Sequence, residues 1–253
     1  MRIAIGLLVL ATAACGDDGN NLPIGGNGND GGFTFPDGTV NLIDGAIDGG
    51  TDASTLNGDA SPVAGRVCLV ADPRKLNGCA TTGVTGLTVR LGTSTAGTSA
   101  DGSFTVAGGT GTVWEVSGPS IVTSHMPLGD FEIPVITKTN YDAMIANNLQ
   151  GLALNPGEGS VMVFVLNNGF GEPGAVADST PSASWEPFYD AGSPTTFVQG
   201  TAGTGPEGMV WIPGLDVGTA TVDVTVGTAI VTTTALPIFD GHITFATTIF
   251  PPP

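Results

Sequence analysis

Positive charge is almost missing from this sequence. The 253 residues include 6 Lys and Arg against 23 Asp and Glu, which gives a formal net charge of −17 at pH 7. Binding of a nucleic acid requires a basic patch that neutralises phosphates, and this chain would repel them instead. The same imbalance argues against electrostatic attachment to an anionic lipid surface. We therefore expect no nucleic-acid partner.

Histidine, cysteine and recognisable catalytic motifs are also scarce. The chain has 2 His and 3 Cys, and it contains no serine nucleophile elbow, no His-Glu-x-x-His helix and no phosphate-binding Gly-Lys loop. A carboxylate pair assembled by the fold is the remaining route to hydrolysis, with Glu115, Glu132, Glu186 and Asp190 as candidates. Since most carboxylates of so acidic a chain are solvated, we predict no enzyme, cofactor or metal site, with a hydrolase as an alternative.

The N-terminus has the pattern of an export signal. Arg2 precedes an apolar run over residues 3–11, which is too short to span a bilayer, and Ala13-Ala14-Cys15 ends it. This end resembles a bacterial lipobox, the motif after which the cysteine is lipidated, although Thr12 stands where the motif prefers Leu. Gly16 follows the cysteine, as in lipoproteins that are sent on to the outer membrane. The alternative is an ordinary signal peptide, cleaved nearby, that leaves Cys15 as a free thiol.

Residues 16–60 form an acidic segment rich in Gly and Asn. The segment contains eight Asp and no Lys or Arg. Low hydrophobicity with charge of one sign does not offset the entropy lost on ordering, so we predict a disordered tether.

A repeated pattern organises the rest of the chain. An Asp101-Gly102 turn is predicted to close a hairpin whose second strand is the alternating Ser103-Phe104-Thr105-Val106. Trp114 and Val116 follow on a further strand, and Trp114 is expected in the core. About 106 residues later, a Glu207-Gly208 turn leads into Met209-Val210-Trp211-Ile212. Two copies of one unit predict two related β modules, at residues 61–137 and 158–253. The composition, with 40 Gly, 18 Pro and 11% charged residues, is typical of β-sandwiches.

The first module resembles a known family. The likeness rests on Gly65-Arg66-Val67, on Gly86-Leu87-Thr88-Val89-Arg90-Leu91 and on the strand after Asp101-Gly102. These segments are similar to those of carboxypeptidase regulatory-like domains. The resemblance implies a prealbumin-like, Greek-key β-sandwich, a fold that is also grouped with carbohydrate-binding-like domains, and it brings no catalytic residues. The second module repeats the pattern.

Cys68 and Cys79 are the cysteines that remain after Cys15. An even pair in an exported chain predicts a disulfide, which would stabilise the chain by roughly 3 kcal/mol on the loop-entropy model. A zinc site is the alternative, and it would need two further ligands.

One helix is predicted, over residues 139–150, within a connector at residues 138–157. Tyr141, Met144, Ile145 and Leu149 share one face at helical spacing. We expect this helix to close one end of a sandwich or to pack between the modules.

Trp211 sets the main question about binding. Superposing the two acidic-Gly turns places Val210 and Ile212 at inward positions and Trp211 at an outward one. An outward Trp is either covered by the helix or by the first module, or it is exposed as a platform for a sugar ring or a partner protein. The candidate platform consists of Trp185, Phe188, Tyr189 and Trp211.

These patterns together predict an all-β protein of two tandem β-sandwiches behind a disordered tether, with one short connecting helix. We therefore predict that the chain is a lipid-anchored envelope protein of the outer membrane, whose modules serve binding or structural roles. The alternative is a surface protein that binds carbohydrate or peptide on the aromatic platform. The membrane is reached through the anchor on Cys15, and carbohydrate or an envelope protein is the expected partner.

Overall fold

The computed structural model describes residues 62–75, 84–108, 110–129, 132–190, 197–200 and 203–250. Within these ranges the chain forms 17 strands and one helix, so the predicted all-β class is confirmed. The elements, in chain order, are β1 (Val63–Leu69), β2 (Thr88–Leu91), β3 (Ser94–Gly97), β4 (Ser103–Val106), β5 (Val113–Ser117), β6 (Ser124–Pro127), β7 (Glu132–Val135), α1 (Lys138–Asn148), β8 (Glu158–Asn167), β9 (Phe170–Gly171), β10 (Val176–Thr180), β11 (Phe188–Tyr189), β12 (Val198–Gln199), β13 (Met209–Asp216), β14 (Gly218–Val226), β15 (Ala229–Thr232), β16 (Leu236–Ile238) and β17 (Ile243–Phe250).

One large sheet runs through both predicted modules. Its strand order is β12-β11-β13-β8-β17-β6-β5-β2-β3, with β9 beside β8. The last strand, β17, joins the two halves: it is parallel to β8 along its whole length and parallel to β6 at Ile243 and Thr244. The modules are therefore linked by main-chain hydrogen bonds as well as by the connector.

Two smaller sheets cover opposite faces of the large one. The sheet β4-β1-β7 packs over the first module, and the sheet of β10, β14, β15 and β16 packs over the second. The alternation along β13 shows the two faces: Trp211 belongs to the core of the first module and the helix, whereas Val210 and Ile212 belong to the core of the second sandwich. The first core thus extends across the boundary between the modules.

The Asp101-Gly102 turn connects the two sheets of the first module. It was expected to close a hairpin, but β3 pairs with β2, and β4 pairs with β1 in the other sheet. Gly102 has φ 82°, and the Asp101 carboxylate accepts a hydrogen bond from the Ser103 backbone N–H at 3.0 Å. The hydroxyls of Ser99 and Ser103 also donate to this carboxylate, and these bonds hold its pKa well below the usual value. The turn is therefore an arch between layers.

The helix lies where the connector was predicted and packs as expected. Its N-cap is Thr137, whose hydroxyl accepts from the Asn140 backbone N–H at 3.1 Å. Tyr141 and Met144 are buried in the core that the modules share. The Tyr141 hydroxyl lies 2.7 Å from the Ser160 hydroxyl on β8, so the buried phenol has a hydrogen-bond partner. Among the described residues, no helix has the length and apolar character needed to cross a bilayer.

Candidate functional site

The residues of the predicted aromatic platform are not exposed at the surface, so the platform hypothesis is wrong. Trp211 is 0% exposed, and Phe188 and Tyr189 are buried, while Trp185 is partly buried. The register was right, since Val210 and Ile212 face the second sandwich and Trp211 faces away from it. The face that carries Trp211 is, however, part of the core that includes the helix. This agrees with the alternative in which the helix or the first module covers Trp211. Its ring lies 5.1 Å from that of Phe188 and 5.8 Å from that of Phe197.

The four platform residues also do not share one face. Phe188 and Trp211 belong to the core shared with the helix, and Tyr189 belongs to the core of the second sandwich. The Tyr189 hydroxyl accepts a hydrogen bond from the Ala177 backbone N–H at 3.0 Å, which ties β11 to β10. Trp114 is buried at 2% exposure, as predicted for a core residue. These aromatics therefore stabilise the fold.

The cysteine predictions remain predictions. Cys15 and Cys79 lie outside the described residues, and Cys68 is fully buried on β1. Among the residues that the structure describes, no three His, Cys, Asp or Glu side chains are grouped so that they could hold a metal ion.

Three of the candidate carboxylates, Glu115, Glu132 and Asp190, do not form one site. Glu132 belongs to the three-stranded sheet and is ion-paired with Arg66 at 3.1 Å, whereas Glu115 belongs to the large sheet and is ion-paired with Arg90. Asp190 is buried and accepts backbone hydrogen bonds from Gly205 and Met209, so it holds the turn before β13.

The junction of the two modules brings the two histidines together. His125 Nε2 lies 2.9 Å from His242 Nδ1, although the residues are 117 positions apart. His125 is on β6 opposite Thr244, and His242 immediately precedes β17, so the β6–β17 pairing causes the contact. No local sequence pattern indicates that these two distant histidines meet.

A row of polar side chains crosses the sheet at this junction. Arg90, Glu115, His125 and Thr244 are successive cross-strand partners on β2, β5, β6 and β17. The face that carries them is the outer face of the first module, opposite to the core residue Trp114. Next to them, Phe239 stacks on the His125 ring with centroids 4.2 Å apart and planes at 24°.

Arg90, Glu115, His125 and Phe239 help to line a cleft of about 300 Å³, here called the junction cleft. Its floor contains Arg90, Glu115 and His125 from the first module, and Pro237 and Phe239 from the second module line it too. The cleft is therefore a corner between the outer face of one module and the edge of the small sheet that covers the other.

Burial keeps the histidine pair neutral. His125 is 2% exposed, and this burial, together with the nearby His242, lowers its pKa to about 4. Burial also lowers the pKa of His242, against the opposing effect of the Glu115 and Asp240 carboxylates. At pH 7 two neutral rings therefore share one hydrogen bond, in which one nitrogen donates and the other accepts.

A second depression, of about 290 Å³, lies beside the helix. It is lined by Asp72, Arg74, Asn140 and Phe197, among others. Arg74 is buried and bonded to the Asp72 carboxylate at 2.5 Å, and this arginine lowers the pKa of Asp72 against the effect of burial. The Asn140 side chain donates to the Ala71 carbonyl. Asp72 and Arg74 of this depression are thus bonded to each other, and Asn140 is bonded to the main chain.

Comparison with known proteins identifies no family. No protein-family model matches the chain, and no curated protein matches it. Among solved structures, it is similar to a mutant of the shaft pilin SpaA from Lactobacillus rhamnosus GG, at 12% identity over 78% of this chain and 98% of the pilin. The TM-score of that superposition is 0.23.

Proposed function

We propose that this protein is a lipid-anchored envelope protein whose β-sandwich modules serve a binding or structural role without catalysis. The observation that carries the proposal is Ala13-Ala14-Cys15 at the end of an apolar run, followed by the acidic tether. A lipidated Cys15 with more than one acyl chain would be held firmly at a membrane. The tether, at residues 16–60, would then keep the β modules away from the anionic bilayer surface because its charge has the same sign.

Replacement of the lipidation site tests the anchor. We expect Cys15→Ser to abolish incorporation of labelled fatty acid and to move the protein from the detergent phase to the aqueous phase on phase separation. Thr12→Leu is the matched variant, since it restores the residue that the lipobox prefers, and we expect it to be processed at least as fast as wild type. Equal labelling of wild type and Cys15→Ser would contradict the proposal.

The disulfide between Cys68 and Cys79 is part of this proposal, since an exported protein meets an oxidising compartment. We expect mass spectrometry of the unreduced protein to recover the two cysteines in one linked peptide pair. We also expect reduction to lower the free energy of unfolding by roughly 3 kcal/mol, since the unfolded chain then gains loop entropy. Recovery of both cysteines as free thiols from the exported protein would show that the bridge does not form.

A further inference from the structure

The junction cleft combines a neutral polar floor with an apolar wall. On the floor, the Arg90 guanidinium donates to the Glu115 carboxylate, and both side chains remain partly open to solvent. On the wall, Phe239 is 39% exposed although it stacks on His125, and Pro237 lies beside it. A partly exposed aromatic ring beside convergent polar groups is typical of a small-ligand site.

The charges of the cleft favour a ligand without net charge. Arg90 and Glu115 neutralise each other, and His125 stays neutral because burial opposes its protonation. An anion would be repelled by a protein of net charge −17. A cation would have to compete with Arg90 for the Glu115 carboxylate. Hydroxyl groups both donate and accept hydrogen bonds, so they match a floor in which donors and acceptors lie side by side.

The floor continues beyond the cleft as a hydroxyl-bearing surface. Thr95 is the cross-strand partner of Arg90, and Ser117 is the partner of Thr88, which lies two residues before Arg90 on β2. Thr88 and Thr95 are exposed and Ser117 is partly exposed, so this face of the first module is open. In the second module the small sheet covers the same face. A ligand longer than the cleft could therefore extend over the first module only.

From these features we propose that the junction cleft binds a neutral saccharide chain. One sugar ring packs its C–H face against Phe239, and its hydroxyls bond to Arg90 and Glu115. The rest of the chain lies over Thr88, Thr95 and Ser117. The site is held in place before binding by the ion pair and by the stacked His125 ring, which reduces the entropy lost on binding. This inference goes beyond the anchored role and doesn't depend on lipidation.

Calorimetric titration of the full chain with soluble oligosaccharides tests the proposal. The probes are cello-, malto- and fully N-acetylated chito-oligosaccharides as neutral chains and oligogalacturonate as an acidic chain. We expect saturable binding of at least one neutral probe and none of the acidic one. We expect Phe239→Ala and Arg90→Ala each to weaken that binding by about tenfold or more, the effect of a central contact, and Phe239→Tyr to retain it because the ring remains.

Two matched variants control for unspecific effects. Phe170→Ala removes a phenylalanine that is 78% exposed and outside the cleft, and Arg66→Ala breaks a cross-strand Arg–Glu pair in the other sheet. Both should bind the probe as wild type does. The proposal is overturned if no neutral probe binds saturably, if the controls weaken binding as much as the cleft variants, or if oligogalacturonate binds best. A failure here leaves the Cys15 labelling result unchanged, so the two proposals are tested separately.

Discussion

Truncation of Phe245 to alanine should destabilise both modules together, with a loss of about 3–5 kcal/mol in the free energy of unfolding. Phe245 is fully buried on β17, the strand that joins the two halves of the large sheet. It belongs to the core that also contains Trp114 of the first module, Met144 of the helix and Trp211 of the second module. A cavity at this position therefore affects packing on both sides of the boundary.

Hydrogen exchange at intermediate urea concentrations measures whether the modules unfold as one unit. We expect amides of β5 in the first module and β13 in the second to lose protection in one cooperative transition, in wild type and in Phe245→Ala alike. Phe170→Ala, at the exposed phenylalanine, is the control, and it should change stability by less than about 0.5 kcal/mol. Two separate transitions, with only one shifted by Phe245→Ala, would show that the modules are independent.

The elements that sequence patterns predict well are those set by local alternation. On β2, Val89 and Leu91 are buried while Thr88 and Arg90 are exposed, as the period of two requires. The repeat of the acidic-Gly turn also predicts the correct faces of β13, because a strand in fixed register has no freedom to exchange its faces. The helix is similarly local, and its predicted apolar face is the one that packs.

Contacts between distant strands could not be predicted in the same way. β17 begins with a run of residues buried on both faces, which indicates a central strand but does not identify its neighbours. Its parallel pairing with β6 creates the His125–His242 contact and the junction cleft. The predicted face of Trp211 was correct because local alternation decides it. The hypothesis that Trp211 forms an exposed platform was wrong because tertiary packing decides what covers that face.

The second large effect is expected on acidification. His125 has a pKa of about 4 in the folded protein, below its ordinary value of 6.5. Between these values the unfolded chain binds more protons than the folded one, so stability rises with pH in this window. The contribution of His125 is fully present above pH 6.5 and is lost as the pH falls to 4. Within this window, each unit of pH removes at most about 1.4 kcal/mol of the free energy of unfolding.

We expect acidification to weaken the large sheet where β6 pairs with β17, since only two residue pairs join these strands. Protonation of both rings would place two positive charges on nitrogens that lie 2.9 Å apart. Phe239 covers His125 at this site, and β6 pairs with β17 only at Ile243 and Thr244. Glu115 and Asp240 face the pair and partly offset this repulsion, and Arg90 adds to it at His125.

Urea unfolding of wild type and His125→Gln between pH 4.5 and 7.5 isolates the effect. The glutamine keeps a polar group near His242 but does not titrate, so we expect its free energy of unfolding to change less with pH than that of wild type. The window avoids most of the titration of Asp72, Asp101 and Glu158. The folded protein lowers the pKa of these carboxyls, so their protonation reduces stability only at still lower pH. NMR titration of the His125 ring gives the pKa directly, and a value near 6.5, or parallel pH profiles for the two proteins, would contradict this account.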